Sequence, residues 1–320
     1  NGRAAARFTV FPQVVLRGSL GTGFRAPSLG QSYFSSTATN FIGGIPKDIV
    51  TLPVAGADAR ALGAQPLRPE KSHNYSAGVA LQPLRALSLT VDYYQIILSD
   101  RIVLSGNFIG PAVENYFTTQ GRAVSGARYF TNAVGTKTGG VDVVANYGLD
   151  FGSHGASKFT LGYNRTQTKI TNIKPTPVAL GSQGETLFDK AERARIEEGQ
   201  PRSNVLASIN YDVGHFGLNL RGQRFGAVTA RNAPSTPQVL DQKFGAKTIT
   251  DVALTYRFVD RLSFTAGADN VLDVYPDVNN QVGNGTSFGG NANFGIFPYN
   301  QVSPFGFNGR FIYGRLSYGF

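Results

Sequence analysis

Few side chains in this sequence stand at spacings that would do covalent chemistry. The three histidines, His73, His154 and His215, are isolated, and no two have metal-ligand spacing. Cysteine is absent, which removes thiolate nucleophiles, zinc-thiolate sites and disulfide scaffolds. Serines are many, but no G-x-S-x-G occurs. The acids Glu185, Asp189, Glu192, Glu197 and Glu198 could bind Ca²⁺ or do acid–base work. They are interleaved with Lys190, Arg193, Arg195 and Arg202, so the expectation is a self-paired, solvated segment, with a short helix as an option. Gly21-Thr22-Gly23-Phe24-Arg25-Ala26 imitates a dinucleotide fingerprint. That chemistry needs a helix N-terminus and an acid about 20 residues on. Here Pro27-Ser28-Leu29-Gly30-Gln31 follows, and the next acid is Asp48. No catalytic residue, metal or cofactor is expected, and the chain is not read as an enzyme. What remains is aromatic and basic side chains in long polar segments, suited to stacking and cation–π contacts.

The elements that must carry those side chains are strands. Of 320 residues, 39 are Gly, 23 Phe and 14 Tyr, while charged residues make up only 16%. No run approaches the roughly 18 apolar residues of a spanning helix. The 30 Lys+Arg against 20 Asp+Glu give a net charge of +10, but the basic residues are scattered, which argues against nucleic acid. Period-two alternation recurs ten times: at Val14–Phe24, Tyr75–Leu81, Leu87–Tyr94, Val141–Leu149, Phe159–Tyr163, Val205–Val213, Phe216–Leu220, Val252–Phe258, Leu262–Ala266 and Ile312–Phe320. The connections alternate between short and long. The long ones run roughly Arg25–Lys71, Leu104–Arg128, Asn172–Gln200, Arg231–Lys247 and Asp273–Gly309. Strict alternation predicts antiparallel neighbours, with tight turns at one end and long loops at the other. Transmembrane β-barrels have this asymmetry. Apolar side chains then face lipid, while Asp92, Asp142, Asn146, Asn164, Asn210, Arg221, Asp251, Arg257 and Arg315 face a polar lumen. The alternative is a soluble sheet with one wet and one dry face.

Six segments also carry a family resemblance. Arg17–Gln31 (RGSLGTGFRAPSLGQ) looks like the mid-barrel segment of TonB-dependent outer-membrane receptors. Leu67–Ser72 (LRPEKS), Ser88–Tyr94 (SLTVDYY), Asn132–Asn146 with Gly140-Val141-Asp142, Ala268–Tyr275 (ADNVLDVY) and the closing Gly309–Phe320 resemble further family segments, in family order. The resemblance implies an all-β, antiparallel transmembrane barrel, of which residues 1–320 form about ten C-terminal strands out of about 22. No plug domain and no TonB-contact segment are visible. Together with the absence of Met and of a signal peptide, this gives the expectation of a C-terminal barrel fragment, half of a split receptor, or a degenerate gene product. The implied function is energy-coupled uptake of iron chelates, cobalamin or carbohydrate at the bacterial outer membrane. Expected ligand contacts are Tyr33, Phe34, Tyr116, Phe117, Tyr129, Phe130, Phe288, Phe294, Phe297 and Tyr299, in external loops. Leu316, Tyr318 and Phe320 resemble the signal read by the barrel-assembly machinery. Expected partners are that machinery, outer-membrane lipid and lipopolysaccharide, the missing plug and barrel half, TonB through a TonB box in the missing part, and a small-molecule ligand. The alternatives are a small plug-free pore and an outer-membrane hydrolase (protease or lipase).

Overall fold

The computed structural model describes residues 1–42, 45–180, 187–231, 241–279 and 298–319. The wall strands are β1 (Arg3–Phe11), β2 (Val14–Arg25), β5 (Glu70–Leu84), β6 (Leu87–Leu104), β8 (Gly126–Asp150) and β9 (Ala156–Ile173). They continue as β10 (Ser203–Val213), β11 (Phe216–Phe225), β14 (Lys247–Val259), β15 (Leu262–Asp269) and β16 (Phe311–Tyr318). These pair in the order β1-β2-β5-β6-β8-β9-β10-β11-β14-β15-β16, each antiparallel to its neighbours. The wall thus has eleven strands rather than ten. The additional one is β1, joined to β2 across Pro12-Gln13 and pairing Arg3 with Gly21 through Phe11 with Val14. It hides in the sequence because Ala4, opposite Leu20, and Ala6, opposite Gly18, give its outer face little apolar contrast. The sheet is open: β1 and β16 each have a single partner.

Short connections lie at one end of the wall and long ones at the other. The long ones are folded. They contain β3 (Ser36–Ile42), β4 (Ile45–Leu52), β7 (Phe108–Ile109) and the hairpin of β12 (Val228–Ala230) with β13 (Gln242–Phe244). They also hold four short helices: α1 (Leu29–Tyr33), α2 (Ala57–Ala61), α3 (Pro111–Thr118) and α4 (Lys190–Glu197). β8 runs past the wall and pairs there with β4, in parallel, and with β7. Tyr129 and Phe130 are therefore strand residues, not loop residues. No described helix is long and apolar enough to cross a membrane.

Register fixes the two faces of the wall. Directly paired residues share a face. Leu16, Val79, Val91, Val143, Tyr163 and Val205 make one continuous row. On this apolar face Phe8, Leu20, Phe24, Tyr75, Leu161, Phe216, Leu254, Phe264 and Leu316 are all exposed. Phe216 and Phe258 each pack edge-on against Tyr256, with centroids 5.0 Å apart, and form an aromatic band at the short-turn end. The opposite face is polar and cross-linked. Arg17 Nε donates to Asp92 at 2.8 Å, Arg221 Nε to Asp251 at 2.8 Å and Asn219 to Asn210 at 2.6 Å. Between Arg17 and Asp92 lies Gly78, and a Cβ there would come within 2.0 Å of the Asp92 carboxylate.

The buried apolar residues are almost entirely outside the wall. One cluster gathers Val50, Leu52, Ala59, Leu62, Phe108, Val113, Phe117, Tyr129, Leu180 and Phe188 at the long-loop end. A soluble sandwich would have its core on one face of the sheet. Here that face is bare, a larger exposed apolar array than soluble monomers carry.

Candidate functional site

The long-loop end is the part of the molecule that presents irregular surface, and four of the six sequence segments singled out above, those holding Arg25, Glu70, Asn132 and Asn270, fix the chain at its base. Arg25, at the end of β2, makes a two-pronged bond to Glu70 at the start of β5, at 2.7 and 2.8 Å. The same carboxylate accepts the Ile102 N–H at 2.7 Å. Asn132 holds Arg68 by both its carbonyl and its N–H and also reaches the Asp100 carbonyl. Asn270 clamps Val274 by a reciprocal pair of bonds, and its own N–H donates to Asp251. These segments are locks at the rim of the wall. The chain leaves β2 into α1 through a capping box, with Gln31 N–H donating to Ser28 Oγ and Ser28 N–H to Gln31 Oε1, both at 3.1 Å. Gly21 and Gly23 lie within β2, and a Cβ on Gly23 would come 2.7 Å from Ser72 Oγ of the next strand, so they serve strand packing and not a phosphate cradle.

Of the ten expected ligand contacts seven are among the described residues, and the structure separates them into two groups. Tyr33 and Phe34 are exposed at the end of α1. Tyr299 stacks between Tyr275 and Phe307, each ring centroid 5.9 Å away. One ring of this ladder, Tyr299, was among the expected residues, and the other two, Tyr275 and Phe307, were not. Their signal was the tyrosine of ADNVLDVY and the aromatic run before β16. Gly309, at φ +71°, lets the Tyr275 hydroxyl approach, since a Cβ there would lie 2.0 Å from it.

The second group is buried. Phe117 and Tyr129 are fully enclosed, Tyr129 against Phe108 at 5.3 Å with its hydroxyl bonded to the Leu62 carbonyl at 3.1 Å. Phe130 packs partly against the same cluster, and Tyr116 donates to Asp58 at 3.0 Å. These four hold the loop domain together, so placing Phe117 and Tyr129 at a ligand surface is corrected: neither can touch a ligand while the core is intact. Phe288, Phe294 and Phe297 lie outside the described residues, as does Phe320. Leu316 and Tyr318 are exposed on the apolar face of β16, the terminal strand of the sheet.

The acidic run forms the short helix α4 and is self-paired in part, but it packs against the wall and does not stand free in solvent. Asp189 caps α4, its carboxylate accepting the Glu192 N–H at 2.9 Å. Glu192 pairs with Arg195 at 2.7 Å, Glu197 accepts the Ile170 N–H, and Glu198 pairs with Arg231 at 2.9 Å. Burial pushes the Glu192 carboxyl above its usual range, against the pull of Arg195 and Arg128. Asp277 is held low by the Lys247 ammonium and the Gly245 N–H. Glu185 is not among the described residues. No group of three His, Cys, Asp or Glu among the described residues could hold a metal. His154 and His215 sit in short turns, and His73 is on the apolar face, so none meets an acid at the loop end.

The comparisons agree with this architecture. A family model described as TonB dependent receptor-like, beta-barrel matches residues 1–271. A comparison with curated protein sequences finds no match. Among solved structures, a ferric enterobactin receptor variant from Pseudomonas aeruginosa in complex with enterobactin superposes with TM-score 0.62 at 16% identity, over 99% of this chain and 40% of that one. The siderophore receptor PirA from Acinetobacter baumannii gives TM-score 0.58 at 15% identity, over 99% and 40%. The copper transporter OprC gives 0.59 at 13%, over 99% and 39%. At these identities the likeness is one of fold, and the chain spans about two fifths of the length of the structures it matches.

Proposed function

The chain belongs to the TonB-dependent receptor β-barrel family, and from that premise we propose that residues 1–320 form the C-terminal wall of an outer-membrane receptor that takes up a scarce small molecule. The observation that carries this reading is the bare apolar face of an antiparallel wall whose core gathers at the long-loop end, among the loops and the outer stretch of β8. Such a wall is stable where lipid covers the apolar face, with the backbone groups of the inner strands satisfied by their neighbours and the outer edges of β1 and β16 left for the remaining strands of the barrel. The long-loop end faces outward and the short-turn end faces the periplasm. An open sheet encloses no channel by itself, which argues against a small free-standing pore. The plug and the remaining strands belong to the rest of the receptor, and TonB is reached through them. Leu316, Tyr318 and Phe320 present the assembly signal.

The ligand classes are iron chelates, cobalamin and carbohydrate. A ferric enterobactin receptor and a siderophore receptor among the structural neighbours support the first. Tyr33 and Phe34 at the end of α1, and the outer rings of the ladder, Tyr275 and Phe307, present exposed ring surface for stacking on a planar or sugar ligand. In cells expressing the full receptor, labelled ferric catecholate, cobalamin and oligosaccharide are offered in turn. One of the three should accumulate in an energy-dependent manner. A Tyr33→Ala/Phe34→Ala double variant should lose about tenfold in apparent affinity, as two stacking contacts predict. Accumulation of none of them, or equal affinity in the double variant, contradicts the reading.

A further inference from the structure

The apolar face of the wall is not apolar to its top. Along β9 its residues read Phe159, Leu161, Tyr163, then Arg165, Gln167 and Lys169. On β8 the neighbours of the last three are Val141, Gly139 and Lys137. Lys137 and Lys169 stand directly opposite each other, and Arg165 lies one turn of the pleat below Gln167 on the same face. All three cations are exposed, and none has an ion-pair partner among the described residues. The same face of β5 and β6 adds His73 and Lys71 and contributes Tyr93 and Gln95, but no carboxylate. Between Tyr93, Gln95, Lys137, Gly139, Arg165 and Lys169 lies an open cleft of about 420 Å³. The Tyr93 hydroxyl donates to Gln95 at its wall, 3.3 Å away.

Two like charges facing each other across a strand pair destabilise a bare sheet. On the polar face the wall pairs charges, as in Arg17 with Asp92 and Arg221 with Asp251, although Arg7 also faces Arg17 there. The unbalanced cluster also has a definite height. Counted from the Ser157 level at about 3.3 Å per residue and a tilt of about 40°, Arg165 and Lys169 stand about 20 and 30 Å above the short-turn end. The apolar band of such a wall is about 25 Å tall, so the cluster straddles its outer boundary. We infer that Lys137, Arg165 and Lys169 form a binding site for the phosphate groups of an anionic lipid in the outward-facing leaflet. The acyl chains of that lipid lie on the apolar row of Val143, Tyr163 and Leu161 below. The shape argues for a lipid over a soluble anion: the cations are mounted on the face that touches acyl chains, not on the lumen or the loop surface.

This inference rests on the membrane placement above, and its test separates the two. The receptor containing this chain is extracted from membranes in neutral detergent and delipidated. It is then titrated with a bisphosphorylated glycolipid, with phosphatidylcholine and with inorganic phosphate, bound lipid being counted by native mass spectrometry. The glycolipid should bind with clear preference. A Lys137→Gln/Arg165→Gln/Lys169→Gln variant should lose about tenfold or more, since each cation near an anionic surface contributes severalfold. Phosphatidylcholine binding should not change, and Arg85→Gln, at the opposite end, should bind glycolipid like the parent. The single variant Lys137→Gln, which relieves the facing charges, should raise thermal stability in lipid-free detergent while weakening glycolipid binding. A merely structural role would not produce that opposition. Equal glycolipid binding by the triple variant, equal loss in Arg85→Gln, or phosphate binding as tight as the glycolipid would overturn the site while leaving the receptor reading intact. Recovery of the receptor outside the membrane fraction would overturn both.

Discussion

A single missing Cβ shows how narrowly the polar face is fitted. Gly78 lets Arg17 reach Asp92 across the intervening strand, and any side chain there collides with the carboxylate. Gly78→Val should lower stability by about 1–3 kcal/mol in urea unfolding of the detergent-folded protein, followed by circular dichroism. Glu70 plays the corresponding part at the rim. Glu70→Ala removes the acceptor of both Arg25 and the Ile102 N–H and should cost about 2 kcal/mol, whereas Glu70→Gln keeps part of it. Glu192 titrates in the opposite sense to a paired surface acid. Its folded carboxyl holds its proton more tightly than the unfolded chain does, at about 4.3. Its contribution to the loop core is thus complete below that value and lost as pH rises through the folded value. Amide exchange in α4, corrected for intrinsic rates, should quicken over that rise, and Glu192→Gln should flatten the dependence. Asp277 works the other way: its bond to Lys247 supports the fold at neutral pH and is lost on acidification.

At the scale of the strand, one residue of phase separates two environments. Val143 lies on the apolar face and its neighbour Val144 on the polar one. Val143→Arg should cost about 2–4 kcal/mol near the middle of the hydrocarbon, and Val144→Arg should stay within about 1 kcal/mol, as measured by refolding into lipid vesicles. This phase was legible in the sequence, because alternation of Val, Leu and Tyr with Asp, Asn and Thr repeats in strand after strand. β1 was not legible, since alanines on its outer face give no contrast. The loop domain was not legible either. Its core is assembled from single residues of distant segments, such as Leu52, Phe117, Tyr129 and Leu180, with no local period. Aromatic residues in loops read as ligand contacts for that reason, and those buried in this core are the ones the structure corrects.

For the whole molecule, the consequence is a wall and a cap with separate stabilities. The wall draws its stability from lipid and cross-strand bonds, and the cap from its own apolar core. Phe117→Ala should remove about 3–5 kcal/mol from the cap and admit protease at the loop end, while the strands remain protected in micelles. The central claim is that alternate side chains of the wall touch acyl chains. The absence of cysteine permits a direct measurement of it. Single cysteines are placed in turn at positions 159 to 164 of β9 in the membrane-inserted receptor, labelled with a small fluorophore, and exposed to a quencher carried on lipid chains. Quenching should alternate: strong at Phe159, Leu161 and Tyr163, weak at Thr160, Gly162 and Asn164. Quenching that is uniform along the strand, or strong at the second set, would contradict the account.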